Sequence, residues 1–279
     1  AREVLELHTL GVGGGYAQAD VTELARALTG WTVPGIGRVG RFAQNQPSGA
    51  AFVALVHEPG GRSVLGRSYP AGEAGQALAI LDDLAAHPAT ARHIATKFAR
   101  HFAGDTPPPA LVARLEADFL RSGGDLASLT RTLIDAPEAW AQGPVKFRTP
   151  FEWLVASLRL TGTEALPAQR IVGALTQLGQ APWRAPSPAG YDDLAASWAG
   201  PDAVIKRVEW AQALSDRLGS KIRPEDLTRA ALGPALQAVI FRDPDAAKAA
   251  IHTLQGKKLG RAAVIPGNWI SSITDASDG

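Results

Sequence analysis

Arg2-Glu3-Val4-Leu5-Glu6-Leu7-His8-Thr9-Leu10, then Gly11-Val12-Gly13-Gly14-Gly15, then Asp20-Val21-Thr22-Glu23-Leu24-Ala25-Arg26-Ala27-Leu28-Thr29-Gly30-Trp31: this opening run reads as two short amphipathic helices about a glycine-rich connection, because apolar residues recur in it at helical spacing. Asp20, with Glu23 three residues on and an apolar run behind, predicts a capping box, and Gly30 the stop of that helix. Glu3 and Glu6 are three apart and share a helical face. Arg26, two turns into the second helix, is predicted to turn inward toward those carboxylates. Charge set among residues apolar enough for a core must be paired. The run therefore holds either a structural ion-pair network or an active site.

The helical pattern resumes at Gly72 and continues through most of the chain. Glu73 to Ala86 places Leu78, Leu81 and Leu84 at helical spacing, and His87-Pro88 opens a helix to about Phe102. On that helix Ile94, Phe98 and His101 or Phe102 are predicted to form the apolar side, with His93 and Lys97 on a basic one. Pro107-Pro108-Pro109 starts a helix that Gly123-Gly124 stops, and Asp125 caps the next. Thr149-Pro150 starts another, running to Leu160. Pro167 to Leu178, Leu194 to Trp198, Ala203 to Leu218 and Leu227 to Phe241 read as further helices. The fold class predicted is mainly α, a multi-helix bundle.

Between about residues 32 and 72 the chain changes character. Short runs such as Phe52-Val53-Ala54-Leu55-Val56 lie between glycines and prolines, which predicts a small β-ribbon or a long ordered loop. Gly143 to Pro150 reads as a connector, dividing a subdomain of residues 1–143 from one of 144–255. Residues 256–279 lack periodicity and read as an irregular tail. The chain begins inside a helical pattern and without methionine, so it is expected to continue a longer reading frame.

A chain of 279 residues that is 46% hydrophobic and 20% charged has ordinary globular composition. Its net charge of +1 makes no electrostatic case for nucleic acid or an anionic membrane as a partner. No run approaches the ~18 apolar residues of a membrane span. Cysteine is absent, which excludes disulfides, thiol catalysis and thiolate metal sites.

Several passages resemble a bacterial family called domain of unknown function 1800. They are the opening run, His87-Pro88-Ala89-Thr90-Ala91 with Lys97, Lys146-Phe147-Arg148-Thr149-Pro150-Phe151-Glu152, and Leu178-Gly179-Gln180 running to Ser187-Pro188-Ala189-Gly190. Their order and spacing cover roughly residues 1 to 250. The resemblance implies a mainly helical fold and often export, and it supplies no settled activity.

Function must then be argued from the residues. Glu3, Glu6, Asp20 and Glu152 lie in these motifs beside cations and imidazoles. Glycoside hydrolysis needs one protonated and one ionised carboxyl, and burial and neighbouring charge can separate two such groups. A carboxylate-centred hydrolase acting on glycosides is therefore predicted, with those four residues as candidate catalytic groups. Arg26, Trp31, His57, Lys97, Lys146 and Trp183 are the candidate substrate contacts, the tryptophans offering faces on which sugars stack. No cofactor and no metal ligand is assigned, since no histidine pair has zinc-motif spacing. A metal-dependent ester or phosphoester hydrolase drawing on His8, His57, His87, His93 and His101 is a weaker alternative. The rival class is a non-catalytic exported module that binds a polysaccharide or protein through Trp183 and its Gly/Pro-rich loops. The sequence does not assign an oligomeric state.

Overall fold

The glycines at 11 to 15 leave the opening segment too short to propagate an α-helix. Val4–His8 is instead one π-helical turn, closed by the Thr9 hydroxyl on the Val4 carbonyl at 2.7 Å and by the Gly11 N–H on the Leu5 carbonyl at 3.1 Å. Gly11 has φ +83°, and a Cβ there would lie 2.7 Å from His93 Nδ1. Conformation and space both select glycine. The first α-helix, α1, is Gln18–Ala27, so it begins ahead of the expected cap. Asp20 is its third residue, accepting the Ala17 N–H at 2.7 Å, and Val21, Leu24 and Ala27 face the core.

The computed structural model describes residues 1–45, 49–140, 146–163 and 166–217. Among them the chain is mainly α-helical, with two small antiparallel ribbons. The predicted ribbon between residues 32 and 72 proves to be two separate ribbons joined by helical turns. β1 (Trp31–Thr32) pairs with β2 (Ala51–Phe52), and the excursion between them holds a short helix, α2 (Gly37–Gly40). β3 (Arg62–Val64) pairs with β4 (Arg67–Tyr69), Ser63 opposite Ser68. Leu65 (φ +52°) and Gly66 (φ +75°) form the hairpin's two-residue loop. Two successive positive φ values match the right-handed twist of the strands. Leucine is unfavourable at the first of them, and its N–H donates to Asp20 Oδ1 at 2.7 Å, which holds it there.

α3 (Ala74–Ala86) and α4 (Pro88–Ala103) follow. Their buried faces differ from expectation. α3 buries Gln76, Ala77, Ile80 and Leu84 and leaves Leu78 exposed. α4 buries Ala91, Ala95 and Ala99, while Phe102 lies at the surface; a stripe of small residues lets helix backbones come close. α5 (Pro109–Ser122) ends at Gly123, φ +67°, with the Gly124 N–H on the Phe119 carbonyl at 2.8 Å. α6 (Leu126–Asp135) is capped by Asp125, as predicted, and packs on α5.

The chain divides into two units, Ala1–Phe102 with Thr106–Ala141, and Ala103–Asp105 with Gln142–Gly279. The first has a core in which Leu5, Leu24, Ile80 and Leu84 meet Val64 and Tyr69 of the hairpin. The second contains α7 (Pro150–Leu160), α8 (Ala168–Gln177), α9 (Ala195–Trp198) and α10 (Pro201–Arg217). Trp153 and Leu154 of α7, Leu175 and Leu178 of the α8 end, and Ala211 and Leu214 of α10 form its core. The helix predicted over Leu227 to Phe241 and the tail after 256 lie outside the described residues. None of the described helices is long and apolar enough to cross a membrane.

Candidate functional site

The opening carboxylates are placed separately from one another. Glu3 is exposed ahead of the π-helical turn. Glu6 is half-buried and accepts the Tyr16 hydroxyl at 3.2 Å, with Arg2 3.9 Å away. Partial burial, then the charge and hydrogen bond of Glu6, raise the Tyr16 phenol above its ordinary range. Asp20 has both oxygens committed to backbone, one to the start of α1 and one to the β3–β4 loop. Arg26 does not turn inward. It is exposed and pairs with Glu23 at 2.8 Å and Glu58 at 3.4 Å. Its own helix supplies an acceptor three residues back, and an exposed guanidinium keeps its hydration there.

Trp31 and His57 meet around Phe52. The Trp31 and Phe52 ring centroids are 5.7 Å apart and those of Phe52 and His57 5.3 Å. His57 Nδ1 lies 2.9 Å from the Thr29 carbonyl, which accepts only, so that nitrogen carries the proton. The Thr29 hydroxyl accepts the Glu58 N–H at 2.8 Å. Gly30, φ +88°, lets this pile form, because a Cβ would come 2.8 Å from Phe52. Lys97 is exposed on α4, whereas His93 donates from Nε2 to the Leu7 carbonyl at 3.1 Å. Among the described residues no three His, Asp or Glu side chains come together in a way that would hold a metal ion.

In the second unit Lys146 is largely buried and clamped. Its Nζ is 3.3 Å from Asp105 Oδ1, 3.1 Å from Asp193 Oδ2 and 2.5 Å from the Asp193 carbonyl. Asp105 Oδ2 also accepts the Ala195 N–H at the start of α9, at 2.6 Å. Glu152 closes a capping box: Thr149 Oγ1 accepts the Glu152 N–H, and Glu152 Oε2 accepts the Thr149 N–H at 2.8 Å. Buried beside it is Arg207, absent from the sequence-based candidates. Its Cζ lies 4.7 Å from the Phe147 ring centroid and 6.0 Å from that of Trp153. Nη1 and Nη2 have no hydrogen-bond partner among the described residues, so the ring faces meet its charge. Burial pulls this guanidinium down to about 10, against the opposing charge of Glu152. On sequence alone Arg207 looks like any helix arginine; its one signal is its place amid Val204, Val208 and Ala211.

Trp183 is the other kind of residue. The Gln180 carboxamide accepts the Phe151 N–H at 2.7 Å, fixing the loop's start against α7. The Arg184 N–H then returns to the Ala181 carbonyl at 3.2 Å, with Pro182 and Trp183 at the two central positions of the turn. Trp183 occupies the second of these with φ +59°, a conformation that ordinarily selects glycine. The Tyr191 hydroxyl lies 2.7 Å from the Ala181 carbonyl and 2.9 Å from that of Arg184, bracing both sides of the turn. Tyr191 is itself packed among Phe147, Trp198 and Ala195. On this braced turn the Trp183 side chain is fully exposed, at 103%.

The candidates thus sort by what occupies them. Asp20, Glu152, Arg26 and Lys146 are engaged in caps and ion pairs, and Glu3 and Lys97 stand separately at the surface. Trp183 presents a large ring to solvent on a rigid support. A model of the family described as Protein of unknown function (DUF1800) matches residues 1–264, past the point near residue 251 where the motifs were expected to give out. Comparison with curated proteins and with solved structures returned no match.

Proposed function

We propose that this chain, which belongs to the DUF1800 family, binds carbohydrate through the Trp183 turn and acts outside the cytoplasm as a recognition module. The observation that carries this reading is a fully exposed tryptophan held at positive φ. Backbone strain of this kind costs on the order of 1–3 kcal/mol and persists where the surroundings impose it, most often at ligand-binding positions. Among the described residues nothing packs on the exposed ring. A sugar gains from such a ring: the apolar face of a pyranose stacks on an indole, and a turn braced in advance loses little backbone entropy on binding. Arg184, exposed next to it, adds guanidinium donors for sugar hydroxyls or a uronate.

The hydrolase predicted from sequence requires two carboxyl groups facing one bond. Asp20 and Glu152 support backbone turns, and Glu6 holds a phenol, so the binding reading takes precedence. The test is co-sedimentation of the chain with insoluble glucans, xylan, chitin and peptidoglycan, alongside Trp183→Ala. Retention on one polysaccharide, weakened tenfold or more in Trp183→Ala with an unchanged melting temperature, is the expected result. Absence of retention on every glycan removes the proposal. Glycoside turnover that is lost in Glu3→Gln, Glu6→Gln or Glu152→Gln would restore the carboxylate hydrolase in its place.

A further inference from the structure

In the first unit the excursion between β1 and β2 presents a surface of different chemistry, independent of Trp183. Val33, Ile36 and Phe42 are 48%, 67% and 55% exposed, with Arg38 and Arg41 exposed among them. The first part of the excursion, residues 33–43, is held by its own backbone. The Gly35 N–H donates to the Gly40 carbonyl at 3.0 Å, Ile36 to Val33 at 3.1 Å and Gly40 to Ile36 at 3.2 Å. Gly40 packs so tightly that a Cβ would fall 2.3 Å from the Val33 carbonyl oxygen. Ala43, 1% exposed, roots the far side. Among the described residues, Val33, Ile36 and Phe42 therefore stand outward from a backbone that holds its shape without burying them.

Charge on this stretch has one sign. No acidic residue occurs between Glu23 and Glu58. Arg26 is satisfied by those two flanking acids. Arg38 and Arg41 have no ion pair among the described residues, and the Arg41 guanidinium lies over the Phe42 ring, 4.9 Å from its centroid. The whole-chain charge of +1 hides this local excess. Near a charged surface only groups within roughly a Debye length, ~10 Å, contribute.

We propose that this excursion docks the protein on an anionic lipid surface, with Ile36 and Phe42 entering the headgroup–acyl boundary and Arg38 and Arg41 meeting lipid phosphates. A soluble polyanion would reward the guanidiniums and leave isoleucine and phenylalanine in water. A lipid interface accepts both, which is the arrangement peripheral membrane anchors use. The contact proposed is made by the loop itself; none of the described helices is long and apolar enough to cross a membrane.

The test is sedimentation of the full chain with vesicles of phosphatidylcholine alone and of phosphatidylcholine with phosphatidylglycerol, at low and high salt, with heparin as a polyanion control. The variants are Arg38→Gln/Arg41→Gln and Ile36→Ser/Phe42→Ser, all at exposed positions, with melting temperatures taken in parallel. Binding is expected only to the anionic vesicles and to weaken with salt. Each arginine should be worth roughly fivefold in partition coefficient, and the apolar pair should reduce binding at both salt concentrations. Three results overturn the proposal: no vesicle binding by the unaltered chain; wild-type binding by both variants; or binding that ignores the apolar pair and is matched by heparin, which would make this a polyanion site.

Discussion

Trp183 and Tyr69 show how differently single side chains are used in this protein. Trp183 stands in water at φ +59°, where glycine would be easier by about 1 kcal/mol. Tyr69 is buried, and its hydroxyl donates to Asp83 Oδ2 at 2.6 Å. Burial, then the Asp83 hydrogen bond and charge, push that phenol up to about 12. The folded pKa lies above the unfolded value of 10, so Tyr69 contributes stability that is fully present below pH 10 and lost as pH rises toward 12. Urea unfolding at pH 9, 10 and 11 should show wild type losing stability relative to Tyr69→Phe, on the order of 2 kcal/mol when complete; parallel curves would contradict the assignment. Side-chain direction is the least readable property of a sequence. Spacing allowed Arg26 to face inward or outward, and solvation together with Glu23 three residues back decided for outward. The proline-rich loop with its aromatic and its cation marked Trp183 as a contact, whereas its positive φ belongs to a turn braced by the nearby Tyr191 hydroxyl and by the Gln180 contact with Phe151 of α7.

Elements were readable where periodicity and a cap agreed. Asp125 before α6, Thr149-Pro150 before α7 and Gly123 after α5 each provide a local stop or start, and those helices lie where expected. The opening run and the β insertion were not readable in that way. A π-helical turn has no periodic signal of its own, and strands of two or three residues are too short to alternate. Asp20 shows the link between them, since one carboxylate joins the start of α1 to the β3–β4 loop. Asp20→Ala is therefore expected to cost more than a single lost cap, about 2 kcal/mol rather than about 1. Hydrogen exchange should become faster at Leu65 and Gly66 as well as at Ala17. A loss confined to the start of α1 would show that the hairpin contact contributes nothing.

At the scale of the whole molecule, helical periodicity conveyed the mainly α class, while the overall charge hid the chemistry. A net charge of +1 averages an acid-free stretch of residues 24–57 against acidic helices elsewhere. Of the charged candidates, Lys146 lies between Asp105 and Asp193, and the three tie together the start of α9 and the segment before α7. A sequence shows that charges are numerous and leaves open which of them the fold consumes. Among the described residues the outward features include Trp183 on its braced turn in the second unit and an apolar-basic loop in the first. The measurement that tests this account most directly is affinity electrophoresis of wild type and Trp183→Gly in gels containing soluble polysaccharide, with melting temperatures of both. The account predicts that wild type is retarded by one polysaccharide, while the glycine variant migrates freely and melts at an equal or higher temperature. A glycine variant retarded as strongly as wild type would contradict it, because the exposed ring would then have no part in binding.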